Sequence, residues 1–442
     1  MNTTPRTHTL VARAAALACA CVISLGATAA DRFPRPEFEG GYAYPTVANP
    51  HPASSAWTYI DTAVLLAALL VTAHLVLRRR SRAGITAMTL FSIAYFGFWR
   101  RGCVCSVGSV QNVALAICDR TYGIPFAVLG FFLLPLACAL LFGRVFCAAV
   151  CPLGAVQDVV VLRPVAVPRW LAHALGMLPY VYLGIAVVMA ATGALFPVCR
   201  FDPFVSFFRL NGPAGILVLG ALFIVLGMFV GRPYCRFACP YGVVLGWLSR
   251  LSKWHATITP DECIQCRLCE NACPFGAINK PTQAETAEPR GKELRRLVLL
   301  LAALPVLIAG GGWLGSRAGK PLSRAHPDVQ LALQLDAEER GAVDRMTLQT
   351  EAFRATGTPM AAAYADARKI ERQFVTGGWF IGAFVGLSLG ARLIGFALRR
   401  RREDYEPDRG TCFSCGRCFS YCPRERLRRT SLTTTSGTHA PA

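Results

Sequence analysis

Two short cysteine motifs carry the clearest chemistry in this chain. The spacing C-x2-C-x2-C-x3-C-P occurs between residues 263 and 274 and again between residues 412 and 423. Such a compact loop lets three thiolates hold one [4Fe–4S] cube, and in two-cluster ferredoxins the cysteine before the proline ligates the other cube. Zinc sites use two separated C-x2-C knuckles instead. The spacing therefore predicts two [4Fe–4S] clusters.

The crossed pattern predicts which cysteines hold each cluster. One set is Cys263, Cys266, Cys269 and Cys422, and the other is Cys412, Cys415, Cys418 and Cys273. The alternative is two independent sites with local ligands. Residues 291–398 separate the motifs and contain two apolar segments. Two membrane crossings there would return the second motif to the side of the first.

A second pair of cysteine motifs lies in an internal repeat. Residues 143–154 and 231–242 share the pattern G-R-x-[FY]-C-x3-C-P-x-G, and each copy follows an apolar segment. A spacing of four places both cysteines of a copy on one face of a helix. Four such thiols favour a further cluster or redox-active pairs, and inert packing is the alternative. The four are Cys147, Cys151, Cys235 and Cys239.

A third group of cysteines carries a weaker signal. Its members are Cys103, Cys105, Cys118 and Cys199. All are expected near the outer membrane face, where a relay or cluster would complete a path across the membrane. Disulfides in an oxidising compartment and plain packing remain open alternatives. Cys138 falls in the middle of an apolar segment, which indicates packing.

Apolar segments surround these motifs. The chain is 54% hydrophobic and only 16% charged, whereas soluble domains carry about a quarter charged residues. Seven segments come near the ~20 residues of a spanning helix. They are residues 57–77, 84–100, 124–142, 178–196, 215–230, 297–314 and 379–398. The net charge of +20 lies in runs beside these segments, which follows the positive-inside rule and argues against nucleic-acid binding. Arg100 and Arg101 are the exception.

These segments predict an all-α polytopic membrane protein of about seven transmembrane helices, with a cytoplasmic 2[4Fe–4S] ferredoxin-like module split by a transmembrane hairpin. A basic start, an apolar core and the sequence Ala-Thr-Ala predict a cleaved signal peptide. The N-terminus would then be periplasmic and the C-terminus cytoplasmic. The predicted parts are a signal peptide (1–30), a short periplasmic segment (31–56), a membrane domain (57–254), the first ferredoxin motif (255–290), the hairpin (291–398) with a periplasmic helical loop (316–377), the second ferredoxin motif (399–423) and a disordered tail (424–442).

The paired C-x3-C-P segments, followed by ferredoxin motifs, resemble the NosR/NapH-type membrane polyferredoxins. The resemblance covers residues 124–274, with residues 412–423 as the second cluster motif. It implies a bacterial inner-membrane protein that passes electrons between a quinol or cytoplasmic donor and a periplasmic redox partner. A quinone is an optional cofactor, and flavin-binding proteins are among the candidate partners. The predicted periplasmic segment is too short for the flavin domain of larger members.

Other functions are compatible with these motifs. A redox-sensing or maturation protein for a periplasmic metalloenzyme would keep the clusters without sustained turnover. A solute transporter would need a polar site at the membrane midplane, and the apolar segments contain few charged residues. Residues 324–374 are either a docking surface or a plain connector. No catalytic residue is assigned, since the motifs define an electron-transfer component of an oxidoreductase system.

Overall fold

The structure is a computed structural model that describes residues 55–102, 104–258, 263–282, 290–343, 346–397 and 402–429. The predicted signal peptide, nearly all of the predicted periplasmic segment, Cys103 and residues 430–442 lie outside the described residues.

Helices make up most of the described chain. They are α1 (Ser55–Leu77), α2 (Arg82–Ser92), α3 (Ser106–Cys118), α4 (Phe126–Phe142), α5 (Pro152–Val159), α6 (Arg169–Leu175), α7 (Leu178–Ala191), α8 (Pro197–Phe201), α9 (Pro203–Arg209), α10 (Ala214–Phe229), α11 (Pro233–Phe237), α12 (Pro240–Arg250), α13 (Leu268–Ala272), α14 (Arg290–Ser323), α15 (Pro327–Glu339), α16 (Leu348–Ala355), α17 (Met360–Ala397) and α18 (Arg417–Tyr421). Two π-helical segments, Ile93–Trp99 and Phe146–Val150, and two strands, β1 (Ile278–Asn279) and β2 (Glu406–Pro407), complete the described elements.

Four helical stretches in the described ranges are long and apolar enough to cross a membrane: α1, α6 together with α7, α14 and α17. A fifth is added if α9 and α10, which are bent by 103° at their junction, form one broken span. The second predicted span is divided between α2 and the first π-helical segment, and the third is α4, with 17 residues. The helices indicate a membrane protein, and the number of seven spans stays a prediction.

Arg100, an exception to the charge rule, belongs to a buried ion pair. Its guanidinium lies 2.5 Å from the carboxylate of Asp61, to which the Tyr95 hydroxyl also donates a hydrogen bond of 3.1 Å. Asp61 is buried in α1. The positive-inside rule counts basic residues and is not a net-charge rule, so Arg100 remains an exception whose charge Asp61 compensates.

Two long helices form the hairpin between the ferredoxin motifs. Helix α14 has 34 residues and α17 has 38, so both continue beyond the apolar segments that predict them. Both helices extend into the predicted helical loop of residues 316–377, because α14 ends at Ser323 and α17 begins at Met360. Hydropathy marks where apolar residues end, whereas the backbone hydrogen bonds of a helix continue into polar sequence. Helices α15 and α16 lie in the connection.

The two ferredoxin segments come together in spite of the hairpin between them. Strand β1 pairs antiparallel with β2, with Ile278 opposite Pro407 and Asn279 opposite Glu406. The amide of Asp408 also donates to the carbonyl oxygen of a residue just before β1, at 2.8 Å. Helices α13 and α18 pack against each other. One module is thus assembled from two segments that are distant in the sequence.

The predicted disorder of residues 424–442 is wrong for the first part of that range, since residues 423–429 are helical. The buried carboxylate of Glu425 anchors this segment through salt bridges to Arg80, Arg428 and Arg429 at 3.0–3.1 Å. Burial opposes ionisation of Glu425, but the hydrogen bonds from Arg428 and Arg429 and the charge of Arg80 outweigh it, so its pKa lies below the usual value.

Candidate metal centres

The first ferredoxin loop and the end of the second motif surround one cleft. Ile258 and Tyr405 form an apolar part of its wall. The cysteines that line it are Cys263, Cys266, Cys269 and Cys422. Burial raises the pKa of the Cys269 thiol to about 11, and iron would displace that proton because thiolates, not thiols, ligate metals. This donor set fits a [4Fe–4S] cube.

The second group combines three cysteines of the second motif with the last cysteine of the first. Its members are Cys412, Cys415, Cys418 and Cys273, whose thiols lie close enough for their charges to interact. Burial raises the pKa of the Cys412 thiol to about 12. The amide of Ser414 donates to the Cys412 sulfur at 3.4 Å. These residues fit a second cube, since thiolates of such clusters commonly accept hydrogen bonds.

Cys422 therefore lies with the first loop and Cys273 with the second, which is the crossed arrangement and not the local one. Ligation of iron by these groups stays a prediction. Within the described ranges, no three or more His, Cys, Asp or Glu side chains are close enough to share a single metal ion. A cube offers a separate iron to each thiolate, so its ligands need not meet at one point.

Crossed ligation has a spectroscopic consequence. We expect Cys422→Ser to change the electron paramagnetic resonance (EPR) signal of the cluster that Cys266→Ser changes. Cys273→Ser should change the signal that Cys415→Ser changes. The measurement is EPR of the reduced protein, purified without oxygen. If Cys422→Ser instead changes the EPR signal that Cys415→Ser changes, each motif ligates its own cluster.

The four C-x3-C-P cysteines converge in the core of the membrane domain. The charges of Cys147, Cys235 and Cys239 all act on Cys151, and the four pack into or against one apolar core. Cys151 precedes α5 and Cys239 precedes α12, each as the N-cap residue before a proline. Helix N-termini stabilise thiolates. The two cysteines of a copy thus flank a helix break and do not share one continuous helix face.

The arginine of each repeat copy links this quartet to the ferredoxin module. Arg144 donates to the Cys147 sulfur at 3.7 Å, and its guanidinium lies 4.4 Å from the ring centre of Phe413. Arg232 donates to the carbonyl oxygen of Cys147 and lies 5.6 Å from the same ring. Phe413 follows Cys412 directly. The second ferredoxin group therefore lies against the quartet.

Sequence analysis did not identify Asp158, which holds three arginines at this junction. Its carboxylate lies 2.6 Å from Arg82, 3.4 Å from Arg232 and 3.3 Å from Arg417. Arg82 also donates to the carbonyl oxygen of Cys415 at 2.7 Å. The sequence offered one signal for Asp158, because it is a lone carboxylate in the apolar sequence after the first C-x3-C-P motif. Charged residues in such sequence are functional candidates in membrane proteins.

The third predicted group is only partly brought together. The sulfurs of Cys105 and Cys199 both lie beside Gly108. Cys118 ends helix α3, whose 13 residues separate it from Cys105 by about 20 Å. Cys118 thus lies apart from the other two, Cys103 lies outside the described residues, and the relay stays a prediction. Helix α3 itself was missed, because its polar residues lower its hydropathy.

Comparison with known proteins agrees with these groups. A family model described as a 4Fe-4S binding domain matches residues 124–170 and 211–258, and a second with the same description matches residues 256–279. The putative electron transport protein YccM of Escherichia coli strain K12 is 28% identical over 171 residues, which are 35% of this chain and 48% of that protein. Protein NirI of Paracoccus denitrificans is 32% identical over 154 residues (32% of this chain, 22% of that protein). The regulatory protein NosR of Stutzerimonas stutzeri is 27% identical over 161 residues (32% and 22%). These similarities support a NosR/NapH-type membrane polyferredoxin.

The matched region includes the repeat that carries the quartet and the first ferredoxin loop. No solved structure matches this polyferredoxin significantly. Its relatives and its apolar helices indicate a bacterial membrane protein with iron–sulfur domains, of a family with electron-transfer and regulatory members. The polyferredoxin spans less than half the length of each of these three relatives.

Proposed function

We propose that this polyferredoxin passes electrons between a quinol or cytoplasmic donor and a periplasmic redox partner. Flavin-binding proteins are among the candidate partners. The observation that carries the proposal is the series of three adjoining cysteine groups. Cys418 of the second ferredoxin group packs against the core of the first group, and Arg144 joins the second group to the quartet. A [4Fe–4S] cluster in each group would accept and donate single electrons.

The position of the basic loop supports a cytoplasmic ferredoxin module. Arg80 donates to the carbonyl oxygen of Ile258 at 2.6 Å, and Arg82 donates to that of Cys415 at 2.7 Å. Arg80 belongs to the basic loop between α1 and α2, and Arg82 is the first residue of α2. Because loops rich in Lys and Arg face the cytoplasm, contact between this loop and the module favours the cytoplasmic side. A periplasmic N-terminus after cleavage and a cytoplasmic C-terminus follow from the same orientation.

A cavity of about 1170 Å³ beside the quartet is the candidate quinol site. Cys235, Cys239 and the aromatic residues Tyr180 and Trp247 line one part of it, and charged residues that include Arg250 and Arg409 line another. Ligand pockets commonly have volumes of roughly 300–1,000 Å³ and aromatic walls with a few polar groups. The cavity is large enough for a quinone head group, and quinol oxidation there would deliver electrons next to the quartet.

Electron transfer through the quartet can be tested with reduced protein in a stopped-flow instrument. We expect a short-chain quinone to reoxidise the wild-type clusters rapidly, and Cys235→Ser to slow this reaction by at least about tenfold because one quartet ligand is lost. Cys138→Ala is the matched control, since Cys138 is buried in α4 outside the quartet. Equal reoxidation rates in the wild type and Cys235→Ser would contradict the proposal.

A second candidate is redox sensing or maturation for a periplasmic metalloenzyme. It is favoured by two relatives, the regulatory proteins NosR of Stutzerimonas stutzeri and Pseudomonas aeruginosa. A sensor keeps its clusters but needs no sustained turnover. If the clusters are reoxidised slowly and only once, even with excess donor and quinone, the protein is a sensor. Continuous turnover of donor and quinone would support electron transport.

A further inference from the structure

The sequence around Cys105 repeats the sequence around Cys151. Residues 105–113 read C-S-V-G-S-V-Q-N-V and residues 151–159 read C-P-L-G-A-V-Q-D-V, so the cysteine, the glycine, the glutamine and two valines coincide. The sequence that begins at Cys199, C-R-F-D-P, matches C-R-F-A-C-P from Cys235 with one residue fewer before the proline. In that match Asp202 takes the place of Cys239 before the proline.

The two copies have the same local geometry. Cys105 is the N-cap of α3 as Cys151 is of α5, and the Gly108 amide donates to the Cys105 sulfur at 3.3 Å. A Cβ added at Gly108 would lie 3.0 Å from the Cys199 sulfur and 3.7 Å from that of Cys105, so the two sulfurs are no further apart than the sum of these distances. A Cβ added at the equivalent glycine after Cys151 would lie 3.6 Å from the Cys235 sulfur.

A buried glutamine positions the opposing cysteine in both copies. Gln111 donates to the Cys199 sulfur at 3.6 Å. It accepts a hydrogen bond of 2.7 Å from the amide of Val198, the residue before Cys199. Gln157 donates to the Cys235 sulfur at 3.3 Å and accepts one of 3.0 Å from the equivalent amide. Both glutamines are fully buried. The pair Cys105 and Cys199 thus has the surroundings of the pair Cys151 and Cys235.

Asp202 supplies a third group with an unused ligand atom. Its Oδ1 accepts hydrogen bonds from the amides of Phe204 and Val205 at 2.9 and 3.3 Å. Its Oδ2 is buried, and no described residue donates to it. A buried carboxylate oxygen without a partner is costly, and Asp202 lies three residues after Cys199, as the N-cap residue of α9. A metal beside these two side chains would satisfy Oδ2.

We propose that Cys105, Cys199 and Asp202 hold an additional iron–sulfur cluster through two thiolates and one carboxylate. The assignment rests on the proposed function, because it assumes that the quartet, whose cysteines have the same surroundings, holds a cluster. Iron accepts thiolate and carboxylate ligands alike. A disulfide between Cys105 and Cys199 would leave Oδ2 of Asp202 without a partner.

The additional cluster would extend the series of redox groups beyond the quartet. The ring of Tyr234, the residue before Cys235, lies 5.4 Å from the ring of Phe204, whose amide donates to Asp202. One buried side chain therefore neighbours both sites. The quartet would separate the additional cluster from the ferredoxin module, so an electron from that module would reach it last.

The test measures iron and acid-labile sulfide per chain, with EPR of the reduced full-length protein purified without oxygen. We expect Cys199→Ser to lose one EPR component and up to about four irons, the content of one cube. Asp202→Cys should retain the iron but shift the g-values and the reduction potential of that component, an effect that a merely structural residue would not produce. Cys118→Ser, at the other end of α3, is the matched control and should match the wild type.

Unchanged iron and EPR in both Cys199→Ser and Asp202→Asn would overturn the additional site. A Cys105–Cys199 disulfide in protein with full cluster content would overturn it as well. Cys235→Ser separates this failure from failure of the proposed function. If Cys235→Ser loses iron and Cys199→Ser does not, only the additional cluster is disproved. If neither loses iron, the quartet holds no cluster and the proposed electron path fails too.

Discussion

Asp158→Asn is expected to lower the free energy of unfolding by about 3–5 kcal/mol, the range for breaking one partner of a buried salt bridge. Asp158 is 4% exposed, and it is the carboxylate shared by Arg82, Arg232 and Arg417. Arg232 is completely buried. Without the carboxylate its charge would have no compensating anion at this position, and water cannot reach it. Thermal unfolding in detergent, followed by tryptophan fluorescence, measures the change.

Asp336→Asn is the matched control for this substitution. Asp336 forms a salt bridge of 2.7 Å with Arg340 one helical turn later, but the two side chains are 38% and 73% exposed. Such surface pairs contribute about 0.2–1 kcal/mol. If Asp158→Asn has as small an effect as Asp336→Asn, the three arginines find other partners and the junction does not depend on Asp158.

The effect of Asp158 should also depend on pH. Burial opposes ionisation of Asp158, but Arg232, Arg82 and Arg417 outweigh it and lower its pKa to about 2. A carboxyl whose pKa is lowered by folding stabilises the fold above its unfolded pKa, near about 3.9, and the contribution disappears as pH falls through the folded value. The stability difference between wild type and Asp158→Asn should thus be constant above about pH 5 and shrink as the pH falls to 2 and below.

The ferredoxin module shows what the sequence can predict. The spacing of Cys263, Cys266 and Cys269 restricts them to one loop, so their proximity follows from local geometry. The partner Cys422 was predicted by the crossed pattern alone, and the structure places it in the same cleft. Asp158 could not be predicted in this way. Its arginine partners lie up to 259 residues away in the sequence, and no local spacing encodes such contacts.

Helix α3 shows a second limit. Its first turns carry Ser109, Gln111 and Asn112, which lower the hydropathy that identifies membrane helices. The structure satisfies these polar groups internally, since Ser109 donates to the carbonyl oxygen of Cys105 and Gln111 bonds the segment around Cys199. Hydropathy cannot distinguish a buried, hydrogen-bonded glutamine from an exposed one. The repeat that links Cys105 with Cys151 was the signal that remained in the sequence.

The second large effect is expected in the hairpin that carries the second ferredoxin motif back to the first. Glycines spaced four residues apart lie on one face of each helix. They are Gly311, Gly315 and Gly319 in α14, and Gly378, Gly382 and Gly386 in α17. A Cβ added at Gly382 would overlap the carbonyl oxygen of Gly311, and one at Gly315 would overlap that of Gly378. The two backbones are therefore in direct contact, as in membrane helices joined through small residues.

Gly382→Ala is expected to destabilise the protein by about 1–3 kcal/mol, the usual cost of overpacking. The added methyl group meets backbone atoms, which cannot rotate away as a side chain can. Gly310→Ala is the matched control on α14, because a Cβ there has no described atom within 4 Å. Alanine favours a helix over glycine by about 1 kcal/mol, so Gly310→Ala should be neutral or stabilising.

Displacement of α14 from α17 should also reach the clusters. Helix α14 follows the first ferredoxin motif and α17 precedes the second, so a shift between the helices moves β1 relative to β2 and Cys422 relative to the first loop. We therefore expect Gly382→Ala to lose its visible cluster absorption in air faster than Gly310→Ala does. Equal melting temperatures and equal rates of cluster loss in the two variants would mean that the helices are not in backbone contact, and that other contacts hold the halves of the module together.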